Sequence, residues 1–131
     1  MTDEQFIDAL ESGTLAPAEF SHQAHLRAAY IYLQRAGWLD ATVRMRDTLR
    51  TFAGRIGKAG LYHETITVAF MALVAERAAG GSYADGAAFA AAHADLADKQ
   101  LLHRWYSPTL LGSEQARARF VMPDCGQTVV Q

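Results

Sequence analysis

From Thr2 onward, apolar residues recur every three or four positions with polar ones between them. Phe6, Ile7 and Leu10 come first, then Leu26, Ala29 and Leu33, then Met45, Leu49, Phe52, Ala53 and Ile56, then Ile66, Phe70, Leu73 and Val74. This is the spacing of helices that each turn one stripe toward a core. Alternation of period two does not extend beyond the last few residues, and there is no internal repeat. The chain is therefore expected to be all-α: a single domain over 1–131, a compact bundle of five to seven helices, with its core over about 20–120 and an irregular tail over 121–131.

Punctuation refines the helices. Thr2-Asp3-Glu4 opens a short amphipathic helix that Gly13 ends, and Pro17 marks a turn. Ser21 is an N-cap for a helix from His22 to Ala36, with Gly37 as its left-handed stop. The stripe of that helix begins with His22 and His25, which places both histidines at the entrance of its buried face. Asp40 caps a helix from Ala41 to about Ile56, whose other side carries Arg44, Arg46, Arg50 and Arg55. After the break at Gly57-Lys58-Ala59-Gly60 comes a helix with His63, Ile66, Phe70, Leu73 and Val74 on one face, ending at Ala79-Gly80-Gly81. Asp85 starts an alanine-rich helix from Ala87 to about His93. A further helix is predicted from Ala94 to Tyr106, stopped by Ser107-Pro108, and Ser113-Glu114 opens a last short one. The alanines permit close helix approach, which serves either a tight core or a homodimer seam.

Totals narrow the class. Half of the 131 residues are apolar and a fifth are charged, as in ordinary globular domains. A net charge of −2 argues against charge-driven nucleic-acid binding. One cysteine, Cys125, leaves no internal disulfide and fits a reducing compartment. The acidic start, Met1-Thr2-Asp3-Glu4-Gln5, lacks the basic and apolar segments of a secretory signal, and the oily run from Ile66 to Ala75 is too short to span a bilayer. The expectation is a cytoplasmic protein with no membrane association.

The chemistry-bearing residues gather at two predicted helix starts. His22 and His25, three apart, project from one face and could reach one ion. His63 and Glu64 are adjacent, so on a regular helix their side chains diverge by roughly 100° and share a centre only at a helix start. If the two starts face each other, His22, His25, His63 and Glu64 hold a divalent metal: zinc, iron, manganese or nickel. Glu64 is then a fourth ligand or the general base, Tyr62 a catalytic pocket residue, and Arg27 the group that binds the negative end of a small substrate. The alternative is a metal-free helical module that binds a small molecule or a protein through the same polar notch. In the plainest alternative the histidines are singly buried and hydrogen-bonded, and Arg27 pairs with a carboxylate. Sharper templates fail. The residue four after His63 is Thr67, so the zinc-protease pattern is not met, and only one Glu-x-x-His unit occurs, Glu19 to His22.

Several segments in order carry a resemblance. Phe20-Ser21-His22-Gln23-Ala24-His25-Leu26-Arg27, Tyr62-His63-Glu64-Thr65-Ile66-Thr67, Tyr106-Ser107, Ala116-Arg117 and Phe120-Val121-Met122-Pro123-Asp124 look like those of a family of small bacterial all-helical proteins, mostly uncharacterised. The resemblance runs from about Phe20 to Asp124. It implies the helical fold and marks the same histidine stretches, and it brings no activity with it.

Overall fold

In the computed structural model, which describes residues 1–125, every regular element is helical. The described residues form α1 (Asp3–Ser12), α2 (His22–Arg35), α3 (Trp38–Arg55), α4 (Glu64–Ala79), α5 (Gly86–Ala92), α6 (Pro108–Leu111) and α7 (Glu114–Ala118). Short 3-10 turns cover Pro17–Glu19, Ala59–Leu61, Ala94–Ala97 and Lys99–Arg104. The all-α bundle matches the hydrophobic pattern. No helix among the described residues is long and apolar enough to cross a membrane.

The first helix is closed at both ends by its own sequence. The Thr2 hydroxyl accepts from Gln5 N while the Gln5 side chain accepts from Thr2 N, and Gly13 leaves the helix at φ 81°. That left-handed turn suits a residue without a Cβ. Phe6, Ile7 and Leu10 of α1 are buried, so the core begins near residue 6 and not at 20. Asp3 then ties three helices together: its carboxylate accepts from Arg27 Nε of α2 at 3.2 Å and from Gly86 N of α5 at 2.8 Å. At Gly86 the two helices approach closely, and an added Cβ would stand 2.9 Å from Arg27 Cγ and 3.1 Å from Ile31 Cγ1. Gly86 and Ala90 of α5 therefore serve the core, whereas Ala87, Ala88, Ala91 and Ala92 are exposed.

Three boundaries differ from the sequence expectation. Gly37 has φ −63° and is the N-cap of α3, not a left-handed stop for α2. Ala36 ends α2 by turning extended, at φ −153°, so α3 begins at Trp38 and Asp40 lies inside its first turn, where an acid complements the helix dipole. The span Ala94–Tyr106 is two 3-10 turns. Between them the Asp98 carboxylate accepts from Gln100 N at 2.9 Å, a local bond that competes with helix continuation.

Apolar side chains form two clusters. The larger includes Phe6, Leu10, Leu26, Tyr32, Met45, Met71 and Phe89; the smaller is Leu102, Tyr106, Leu111, Ala116 and Val121. Leu73 of α4 packs against both, so α4 is the wall between them. The expected surface tail is anchored where it is described. Val121 is buried, Tyr106 OH donates to Val121 O at 2.8 Å, and Ser107 N and Oγ donate to the Asp124 carboxylate at 2.7 and 2.6 Å. The rest of that tail, residues 126–131, lies outside the described residues.

Candidate functional site

The start of α4 is built by its histidine. After the turn Ala59–Leu61 the backbone runs extended through Tyr62 and His63, and His63 is the N-cap. Its Nδ1 accepts from Ile66 N at 3.1 Å, the bond a helix start needs for one of its unpaired N–H groups. With Nδ1 accepting, the proton lies on Nε2, which donates to the Leu111 carbonyl at 2.6 Å. The ring is buried and both nitrogens are engaged.

The next residues continue the same fastening. Thr67 Oγ1 donates to His63 O at 2.9 Å. Thr65, fully buried, donates to Arg119 O at 2.9 Å and accepts from Val121 N at 3.1 Å. The buried side of α4 thus runs through His63, Thr67, Met71 and Val74, and Ile66, expected on the core face, is exposed. A polar start followed by an oily helix fits one role: the polar residues hold the C-terminal segment, and the apolar ones fill the core.

Glu64 points elsewhere. Its Oε1 accepts from Tyr62 OH at 2.6 Å and from Arg46 Nε of α3 at 3.0 Å. Tyr62 is pushed up to about 12, first by burial and then by that bond to Glu64, so the phenol remains a proton donor through neutral pH. Arg50, one turn beyond Arg46, lays its guanidinium 4.9 Å over the Tyr62 ring. From the other side Arg117 of α7 uses one nitrogen, Nη1, to reach the carbonyls of Gly60, Leu61 and Tyr62 at 3.0, 3.2 and 3.3 Å. Between the two arginines opens a notch of about 410 Å³, also lined by Ala59, Gly60 and Ala118.

The histidines of α2 do not join this place. His22 is exposed, and His25 is partly buried with its ring edge-on to Phe20 at 4.1 Å between centroids. The His22 and His25 rings are 5.9 Å apart, as two residues on one helix turn should be. His25 is pulled down to about 4, chiefly by burial and then by the charges of His22 and Lys99.

The metal site expected from His22, His25, His63 and Glu64 is therefore not assembled. Among the described residues no group of three or more His, Cys, Asp or Glu side chains is placed to hold an ion. The physical reason is specific: His63 has no free nitrogen lone pair, and Glu64 turns to Arg46 and Tyr62. Arg27, expected to bind substrate, instead pairs with Asp3, donates to Met1 O at 2.8 Å and lies 4.6 Å over the Phe6 ring. Tyr62 and Glu64 do meet, as neighbours in one hydrogen-bonded chain.

Sequence reasoning missed Arg46 and Arg50 as site residues because it set them only on the side of their helix away from the apolar stripe. Their four-residue spacing on one helix was the available signal. Arg117 carried no such signal, since the contact that matters bridges more than fifty residues of chain. No family model matches this chain, and neither a curated protein nor a solved structure does.

Proposed function

We propose that this protein is a metal-free helical module that binds a small anionic molecule in the notch between Arg50, Tyr62 and Arg117. One observation carries the reading: two guanidinium groups line the notch and no carboxylate does. Guanidinium pairs suit carboxylate and phosphate oxygens, which they grip with paired N–H groups. Arg50 has no carboxylate within ion-pair distance among the described residues, so its charge is available to a ligand. Arg117 spends only Nη1 on backbone carbonyls, which fixes its plane and leaves its other nitrogens for the same use.

The groups beside the notch favour binding over chemistry. The Tyr62 proton is given to Glu64, and Glu64 is held by Arg46, so neither is poised as nucleophile or base. The remaining lining residues, Ala59, Gly60 and Ala118, are small and uncharged.

Titration calorimetry of the full chain with inorganic phosphate, succinate and benzoate tests the reading. Saturable binding by at least one of them is expected, weakened by added salt and reduced about tenfold or more by Arg50→Ala. Absence of binding by all three, or unchanged affinity in that variant, would overturn it.

A further inference from the structure

A second cleft, of about 230 Å³, lies between α1 and α3 and differs in chemistry from the notch. Its walls include Glu11, Arg44, Asp47, Thr48 and Arg55. We propose that this cleft binds a free α-amino acid, its ammonium held by Glu11 and Asp47 and its carboxylate by Arg44.

The geometry begins with Tyr32, which is wholly buried. Its hydroxyl lies 2.6 Å from Glu11 Oε2 and 2.7 Å from Thr48 Oγ1. A phenol has one proton and the carboxylate can only accept, so Tyr32 donates to Glu11 and takes its second bond from Thr48. The chain from Thr48 through Tyr32 fixes one oxygen of Glu11 and leaves the other for a ligand. Arg55 does not neutralise that carboxylate with an ion pair. It donates to the backbone carbonyls of Leu10 and Glu11 at 3.3 and 3.1 Å, closing the end of α1.

Two carboxylates and one further guanidinium remain. Among the described residues neither Glu11 nor Asp47 has a lysine or arginine within ion-pair distance, and Arg44 has no carboxylate there. Asp47 and, three residues back along α3, Arg44 line the same cleft as Glu11. Positions three apart share a helix face, so α3 presents an acid and a base to the same cleft, the two signs of charge that an α-amino acid carries. A ligand with one charge only would leave either the acids or Arg44 unmatched. The cleft, of about 230 Å³, has room for a small amino acid.

Calorimetry of the full chain with glycine, L-alanine, L-glutamate and L-lysine tests the assignment, with alanine amide and N-acetylalanine as blocked controls. At least one free amino acid should bind saturably. Asp47→Asn and Arg44→Gln, both at exposed positions, should each weaken it about tenfold or more while helical circular dichroism is unchanged. Arg50→Ala, in the other notch, should leave it unaffected. The proposal is overturned if no free amino acid binds up to about 10 mM. It is equally overturned if both cleft variants bind normally, if alanine amide binds as well as alanine, or if Arg50→Ala removes binding.

Discussion

The imidazole of His63 donates to the carbonyl of Leu111, 48 residues along the chain, at 2.6 Å. Together with the cap on Ile66 N, this bond makes the ring a two-ended strut between the start of α4 and the end of α6.

His63→Ala should destabilise the fold by about 2–4 kcal/mol, the sum of a lost N-cap and an orphaned buried carbonyl. His63→Asn should recover about 1 kcal/mol, because Asn caps helices but is too short to reach Leu111. Urea denaturation measures both. A His63→Ala protein as stable as wild type would remove the strut.

Thr65→Val keeps the shape and deletes two bonds, one to Arg119 O and one from Val121 N. Loss of about 2–3 kcal/mol is expected, since both backbone groups lose a partner. Limited trypsin digestion should then cut after Arg117 or Arg119 sooner than in wild type, while cleavage at Arg35 is unchanged.

Acid should unfold the protein partly through His25. Its folded value of about 4 lies below the ordinary 6.5, so the unfolded chain binds this proton more readily. The stability held by the neutral ring is complete above pH 6.5 and declines as pH falls toward 4. The largest loss from this residue is about 3 kcal/mol. Comparing wild type with His25→Leu across that range isolates it: the variant should show a shallower decline, and identical slopes would rule His25 out.

The two arginines of the notch should separate in their effects. Arg50→Ala should lower anion affinity with stability changed by less than about 1 kcal/mol, because the guanidinium is exposed over Tyr62. Arg117→Ala should lower affinity and also cost about 1–2 kcal/mol, since three carbonyls lose their donor. Thermal melts with and without phosphate distinguish the two.

Much of the fold was legible in the sequence, because helix caps are local. Thr2, Ser21, Asp85 and Ser113 act as N-caps where residue type and spacing placed them. The break after Ile56 also falls where the glycines predicted it, with Gly57 at φ 72°. The site was less legible because its meaning depends on orientation across the bundle. His63 and Glu64 were correctly expected at a helix start, yet nothing local says that one ring would reach Leu111 or that the carboxylate would meet Arg46. The pairing of Arg27 with Asp3 likewise spans two helices. Periodicity also placed Ile66 on the core side, yet it is exposed while Thr65 and Thr67 are buried, their hydroxyls bonded to Arg119 O and His63 O.

The smaller apolar cluster has a dynamic corollary. It joins the main core through α4 and is otherwise fastened by directional bonds, which makes it a unit able to breathe without melting the rest. Amide exchange should be faster across residues 102–121 than in α2. Because Arg117 and Ala118 belong to both this unit and the notch, an occupant of the notch would act as a brake on that opening.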